Sequence, residues 1–406
     1  MKRKLIAAAQ PAAEKPKYVL LRTVAFALFF VLAIVFIVRG VVLIGKKEPG
    51  LHEVEPSPDE EAPLYAAGIL FEHEFTGSSD EIKQQLNALK EIYSAALKRA
   101  YKLLDPEQEY TGYTNLATLN RHPGEEITLP APLYAVLQDA CARSASEDSG
   151  GYRIFSGALW SEWQQLLYLE QPERFDPARN PEEAERISAL AAAAEEDCAS
   201  LRFLPENKVI FTVSPEYQAF LGKFEVEAPI LNLNLLHDAY LLQMVREEVE
   251  ERGYHAGILT TEGGLIVSFS DYASGEAVMI GEQGGEIAHL GTVSVQPDTV
   301  YFQTRAFAAG AAGYYQLEDG SKRHCYFRPE TGDYANRINT SLIWQQGAQP
   351  AEVVCRTLAL HTAEDPAQVT GTNILYTLQT GDRSIYGTKE GKAALTLWEN
   401  DGYRLS

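Results

Sequence analysis

The residues best suited to chemistry lie in the last third of the chain, where His324 and Cys325 precede a Pro-x-Thr-Gly turn that ends at Gly332. An imidazole titrates near neutral pH, so His324 could serve as a general base. It follows Lys322 and Arg323, and a histidine in a strand beside two cations is more often structural. We favour the structural interpretation and keep the general base as the alternative.

Other catalytic patterns are missing from the sequence, which has no G-x-S-x-G elbow, no phosphate-binding P-loop, no H-E-x-x-H and no S-x-x-K with its companion motifs. Several aromatic residues could stack on a ligand ring, but strands commonly bury alternating aromatics. Packing is therefore the favoured explanation for most of the set formed by Tyr301, Phe302, Phe307, Tyr314 and Tyr315.

These residues are carried by an α+β pattern in which strands are mixed with helices and no regular βαβ repeat occurs. Apolar spacing and capping residues predict helices over Asp80–Leu104, Pro132–Ala145, Pro181–Cys198, His237–Arg252 and Pro350–Thr362. Short β-branched or aromatic runs predict strands over Val209–Ser214, Ile258–Thr261, Leu265–Phe269, Ala277–Ile280, Val300–Thr304 and Leu395–Trp398.

The N-terminal region predicts a single membrane span. Residues 23–45 are apolar except for Arg39, and about 20 such residues suffice to cross a bilayer. A buried soluble helix would carry a polar face, and a cleaved signal peptide would have a shorter apolar core with a small-residue cleavage site. Because basic residues precede the span, residues 1–22 are predicted to be a cytoplasmic tail and the rest to be exported.

Beyond the span, residues 46–63 combine prolines with clustered acids, which favours an extended linker. Residues 64–406 are then an extracytoplasmic domain at the plasma membrane. Residues 1–47 hold nine basic groups and one acid, so they carry +8 and the remainder carries −29 of the net charge of −21. A surface this acidic repels phosphate backbones, so nucleic-acid binding is not expected.

The four cysteines, Cys141, Cys198, Cys325 and Cys355, are widely spaced. They fit neither a dense disulfide framework nor a Cys-x-x-Cys metal pair. One or two disulfides are possible in an exported domain, and four ordinary thiols are at least as compatible with the pattern, because free cysteine packs as a small hydrophobe.

Five stretches occur in an order that resembles the ApbE family of FAD:protein FMN transferases. They are YTGYTNLATLNR (Tyr110–Arg121), SGGYRIFSGALW (Ser149–Trp160), LNLNLLHDAYLLQMV (Leu231–Val245), GYHAGILTTEGGLIVSFSD (Gly253–Asp271) and DGSKRHCYFRPETG (Asp319–Gly332). The shared order over residues 64–362 carries the resemblance.

The resemblance implies an α+β ApbE-like domain, FAD as donor, Mg²⁺, and a threonine or serine of an exported flavoprotein as acceptor of FMN. The histidine that serves as base in the family falls on Cys325, one residue from His324. The metal ligands fall on Glu352 and Arg356, with the hydroxyl of Thr357 one residue out of phase. The positions implied to bind the cofactor are Asn120, Tyr240, Gly263, Gly264, Gly310, Thr331 and Gly332.

Several family positions hold a different type of residue here, and Asp238 even replaces a lysine. The other replacements are Asn234 and Leu235 for glycines, Leu265 and Arg328 for aspartates, and Arg356 for the metal-binding hydroxyl residue. We therefore expect an ApbE-like flavin transferase homologue with a degraded catalytic site. The alternative is a non-catalytic module that binds a flavin or nucleotide, or a protein-interaction scaffold for another subunit of a membrane complex.

Overall fold

The computed structural model describes residues 46–194, 198–272, 274–305, 313–398 and 402–406. The predicted membrane span and Gly310 lie outside the described residues. Within the described ranges, no helix is both long enough and apolar enough to cross a bilayer. The chain divides into a small unit, described at residues 46–49 and 77–83, and a large unit of residues 50–76 and 84–406.

In the small unit, side chains at the start of the first helix accept hydrogen bonds from nearby backbone N–H groups. The backbone N–H of Ser78 donates to Glu81 Oε2 at 2.7 Å, and that of Lys47 donates to Ser79 Oγ at 3.0 Å. The N–H of the residue that precedes a helix has no partner inside the helix, so the bond from Ser78 to the Glu81 carboxylate stabilises this end.

The α-helices of the described residues lie mostly in the first part of the chain and before a run of eight strands, with two more near the end. They are α1 (Ser79–Leu104), α2 (Leu116–Arg121), α3 (Ala131–Ser144), α4 (Gly157–Tyr168), α5 (Pro181–Ala193), α6 (Pro215–Lys223), α7 (His237–Glu251), α8 (Pro350–Thr362) and α9 (Lys389–Ala394).

The strands include a nine-stranded sheet and three smaller sheets. They are β1 (Gly50–Glu53), β2 (Ile69–Phe75), β3 (Glu126–Thr128), β4 (Ala199–Leu204), β5 (Lys208–Val213), β6 (Gly257–Thr261), β7 (Leu265–Ser268), β8 (Glu276–Gln283), β9 (Glu286–Ser294), β10 (Thr299–Gln303), β11 (Tyr315–Gln316), β12 (Lys322–Arg323), β13 (Ile338–Gln346), β14 (Asn373–Leu378), β15 (Ser384–Gly387), β16 (Thr396–Leu397) and β17 (Arg404–Leu405).

The large sheet has the order β1-β2-β6-β7-β10-β13-β14-β15-β17. Its neighbours pair antiparallel except β15 and β17, which pair parallel. All five residues of β10 are buried, as are seven of the nine in β13. These two strands form the centre of the core, where α8 packs on them and α7 packs on α8.

Strands and helices arranged in this way confirm the predicted α+β class. The helix Pro350–Thr362 has the predicted bounds, and α1, α3 and α7 agree within one residue at each end. The predicted linker needs a correction, because Gly50–Glu53 within it forms strand β1 and pairs with β2. The sheet therefore begins before the predicted domain boundary at residue 64.

Candidate ligand-binding site

A cavity of about 400 Å³ opens where α4, the β6–β7 turn and the start of α7 meet. Its wall is rich in aromatic side chains, with polar groups between them. The aromatic lining residues are Trp160, Tyr168, Phe302, Tyr314 and Tyr326. The polar ones include Gln164, Asn234, Asp238, Arg305 and Cys325. A concave, mostly apolar cavity with a few polar groups is typical of a small-molecule site.

One face of helix α4 forms one wall of the cavity. Trp160, Gln164 and Tyr168 are spaced by four residues, so they lie one above another on the helix and all reach the cavity. Tyr168, in the last turn, is 65% exposed. On a different face, Trp163 is buried and its Nε1–H donates to the carbonyl of His324 at 3.1 Å. This bond holds α4 against the opposite wall.

The turn between β6 and β7 forms a second wall through Gly263. The next residue, Gly264, has φ +92°, and a Cβ added there would lie 1.8 Å from the carbonyl oxygen of Gln303. The Gln303 N–H also donates to the Gly264 carbonyl at 2.9 Å. Only glycine fits such a close approach, so this turn is locked against β10.

The segment before α7 supplies Asn234 and Asp238. Asn234 has φ +52°, a left-handed conformation that asparagine tolerates better than most residues. Its side-chain amide donates to the carbonyl of Arg153 at 3.3 Å and contacts Ser156 Oγ at 3.4 Å. Asp238 Oδ1 lies 3.1 Å from His237 Nδ1, and its side chain is 51% exposed. It therefore places a carboxylate in the cavity.

The two predicted catalytic residues lie side by side but in different environments. His324 is fully buried, and its Nδ1 accepts the backbone N–H of Tyr326 at 3.1 Å. Burial lowers the pKa of His324 to about 3. Cys325 lines the cavity and is partly exposed, and burial of its sulfur raises the pKa of the thiol to about 11. At neutral pH both side chains are therefore uncharged. The four cysteines are separate thiols.

The remaining residues predicted to bind a cofactor lie away from the cavity lining. Asn120 bonds to the backbone of Leu231 in both directions, at 2.9 Å each. The buried Tyr240 donates its hydroxyl to Asp139 at 2.8 Å. Thr331 accepts the N–H of Asp333 at 3.2 Å, and a Cβ at Gly332 would lie 2.4 Å from a methyl carbon of Ile187. In this structure, these four residues stabilise local turns and packing.

The predicted metal ligands lie on α8, and their polar groups have partners inside the protein. Glu352 Oε1 accepts from Gln345 Nε2 at 3.2 Å, and the buried Thr357 donates to the Val353 carbonyl at 2.9 Å. Arg356 lies between them in sequence and brings a cation, which would repel Mg²⁺. Among the described residues, no group of three histidine, cysteine or acidic side chains could hold a metal. The residues present do not fit a magnesium site.

Sequence reasoning misses the wall formed by α4. The spacing of Trp160, Gln164 and Tyr168 is visible in the sequence, but the start of this stretch resembles a family motif, which hides the helix. Of the five aromatics named above as able to stack on a ligand, Phe302 and Tyr314 line the cavity. Tyr301 is buried and stacks on Trp344 with centroids 6.3 Å apart, as the packing explanation expects. Phe307 lies outside the described residues.

Comparison with known proteins identifies the fold. The chain is similar to the ApbE protein of Thermotoga maritima, with 14% identity, a TM-score of 0.58 and coverage of 85% of this chain and 99% of that one. It is also similar to the flavinyl transferase ApbE of Pseudomonas stutzeri in its apo form, with 14% identity, a TM-score of 0.55 and coverage of 86% and 97%.

A third similar structure is the flavin transferase ApbE of Vibrio cholerae, with 13% identity, a TM-score of 0.54 and coverage of 86% of this chain and 100% of that one. No family model and no curated protein matches the sequence. The chain therefore has the fold of the ApbE flavin transferases, in a divergent form. This confirms the resemblance drawn from the ordered motifs.

Proposed function

We propose that the exported domain binds a flavin in the cavity between α4 and the β6–β7 turn. The observation that carries this proposal is the aromatic lining, in which Trp160, Tyr168 and Tyr314 can present flat rings to a flat ligand. Gln164 and Asn234 add amides that can hydrogen-bond to the edge of a ring system. Flavin is the ligand class because the similar structures are named flavin transferases.

Transfer of FMN from FAD is proposed to be lost. Transfer of a phosphoryl group needs a metal and a base at the nucleophile. His324 is buried with a pKa of about 3, so it is a weak base without access to the cavity. The hydroxyl of Thr357 is bonded within α8. A protein that holds a flavin without transferring it fits these environments best.

We also propose that the domain lies outside the cytoplasm and is anchored by one N-terminal membrane helix. Its partner there would be an exported flavoprotein or another subunit of a membrane complex. The support is the apolar stretch at residues 23–45 with basic residues before it. Protease added to intact spheroplasts should degrade the domain. Protection of the residues beyond Pro63 would overturn this orientation.

Binding is tested by titrating the full-length protein, purified in detergent, into riboflavin, FMN and FAD while following flavin fluorescence. Tyr168→Ala should weaken binding about tenfold, because one aromatic contact contributes up to about 1.4 kcal/mol. Phe175→Ala is the matched control, since Phe175 is 39% exposed and does not line the cavity. The proposed site would be contradicted if the unmodified protein and the two variants bound flavin with equal affinity, or if none of them bound flavin.

Transfer is tested separately by supplying FAD, Mg²⁺ and a panel of acceptor proteins and measuring release of AMP. We expect no release above the rate without protein. AMP release that depends on this protein would show that the catalytic set works, and His324→Ala would then reveal whether that histidine takes part.

A further inference from the structure

A buried ion pair connects the segment that follows α4 with the hairpin formed by β11 and β12. The side chains of Asp176 and Arg323 are 0% and 1% exposed. Arg323 Nε donates to Asp176 Oδ2 at 2.7 Å, and its Nη2 donates to Oδ1 at 3.1 Å. Two parallel bonds between planar groups fix their mutual orientation as well as their distance.

The same two side chains also bond to their surroundings. Asp176 Oδ2 accepts the hydroxyl of Tyr315 at 2.6 Å, and Oδ1 accepts the N–H of Ala178 at 2.9 Å. Arg323 Nη1 donates to the Lys322 carbonyl at 3.2 Å, and the guanidinium lies 3.5 Å from the centroid of the Tyr334 ring. Such pairing is what allows charged groups to stay buried.

The position of the pair in the chain relates it to the cavity. Asp176 lies in the connection that follows α4, whose last residue, Tyr168, lines the cavity. Arg323 lies in β12 and pairs with Tyr315 of β11, directly after the lining residue Tyr314. The ion pair therefore joins the connection after α4 to the hairpin within residues 313–326. This segment forms a further wall of the cavity through Gly313, Tyr314, Cys325 and Tyr326.

Stability alone is a poor explanation for this pair. Removing two charges from water is costly, and a buried ion pair often contributes little net stability compared with neutral residues of similar size. What two-point bonding supplies is a single geometry. A cavity that binds a flat ring between two walls needs that geometry, because a shift of either wall opens the stack.

On the basis of the flavin-binding function proposed above, we propose that Asp176 and Arg323 are positioning residues. Their ion pair fixes the segment 313–326 against α4, so that Tyr314 and Tyr168 face the ligand at a set separation. Neither residue lines the cavity, so neither contacts the ligand.

The test uses the double variant Asp176→Asn with Arg323→Gln. A single substitution would leave an unpaired buried charge and could prevent folding, whereas the double variant removes both charges and keeps amide groups in their place. The control is Asp59→Asn with Lys102→Gln, which neutralises another ion pair of the large unit, with 3.5 Å between Lys102 Nζ and Asp59 Oδ2, whose residues do not line the cavity.

Two measurements are made on the full-length proteins in detergent. Hydrogen exchange of the amides of residues 313–326 should become faster in the Asp176/Arg323 variant and stay unchanged in the control. The riboflavin dissociation constant should rise about tenfold in that variant only, as expected when a stacking contact is lost. A melting temperature near that of the unmodified protein shows that the variant is folded.

Unchanged exchange in residues 313–326 overturns the proposal, and so does faster exchange with unchanged riboflavin affinity. If the unmodified protein itself binds no riboflavin, the flavin function fails, and the exchange experiment still decides whether the ion pair holds the wall in place.

Discussion

The β6–β7 turn and helix α8 both carry residues at which the ApbE resemblance implies ligand contacts, but their local structures differ. In the turn, Gly264 is required by the backbone itself, because the carbonyl of Gln303 occupies the space where a side chain would begin. On α8, Glu352 and Thr357 bond to protein groups. Backbone packing alone therefore accounts for the glycine in the turn, whereas on α8 the groups implied to bind a metal are hydrogen-bonded inside the protein.

Gly264→Ala, in the turn, should destabilise the protein more than any other single substitution that tests this contrast. It combines a left-handed backbone with a clash against β10, and together these should cost roughly 3 to 5 kcal/mol of the free energy of unfolding. Gly253→Ala is the control, since Gly253 has φ +88° and nothing within 4 Å of an added Cβ. It should cost about 1 kcal/mol. Equal losses in urea unfolding would show that the turn is not locked by the Gln303 contact.

The pH dependence of stability tests the packing of another buried residue, His73 of β2. It is buried among Phe71, Phe75 and Tyr254, and burial lowers its pKa to about 4. The unfolded chain, with a histidine pKa near 6.5, binds more protons below that pH, so stability is complete above about 6.5 and falls toward pH 4. At pH 5 this should cost about 2 kcal/mol.

The corresponding measurement is chemical unfolding at pH 7.5 and pH 5 for the unmodified protein and for His73→Leu. The variant should lose about 2 kcal/mol less between the two pH values. An identical pH dependence in both proteins would mean that His73 is protonated as readily in the folded state as in the unfolded one. The buried His324 is present in both proteins and cancels from the difference.

Asn234 allows a smaller and sharper test, because it occupies a left-handed position of the kind that glycine favours. Asn234→Gly should change the free energy of unfolding by only a few tenths of a kcal/mol, since relief of the left-handed backbone strain offsets the lost amide bonds. Asn234→Leu should cost about 1 to 2 kcal/mol. If leucine is tolerated as well as glycine, the left-handed backbone at this position is not a constraint.

The smallest effect is expected from magnesium. Because Glu352 and Thr357 bond to protein groups and Arg356 lies between them in sequence, millimolar Mg²⁺ should leave the melting temperature unchanged. A ligand that binds only the folded state must raise it. A magnesium-dependent rise that disappears in Glu352→Gln would show that this part of α8 binds the metal after all.

The sequence predicts elements well where a local pattern is strong. Pro350 at the first helical position and a continuous apolar face define α8 without reference to other segments. By contrast, β1 lies in a stretch of prolines and acids and exists because β2 offers it a partner. Helix α4 escapes prediction because its first residues match a family motif.

The candidate site divides in the same way. Motifs point to Gly263, His324 and Cys325, and of these Gly263 and Cys325 do line the cavity. No local pattern could reveal Asp176 and Arg323, because an acid in one loop and an arginine in a short hairpin become partners only through the tertiary fold. Likewise, the sequence could not show that Thr357 turns its hydroxyl to its own helix.

The pairing of β2 with β6 has a consequence for how the protein is made. Ile69 is paired with Thr261, so the strand next to the N-terminal edge meets its partner only after the intervening residues have been synthesised. At a synthesis rate of about 5 to 20 residues per second, β6 follows β2 after roughly 10 to 40 seconds. Until then the backbone N–H and C=O groups along one edge of β2 have no strand partner. During that interval its open edge can pair with other chains. Slow synthesis or delayed delivery of the later segments should therefore increase aggregation of nascent chains more than an equal delay near the C-terminus.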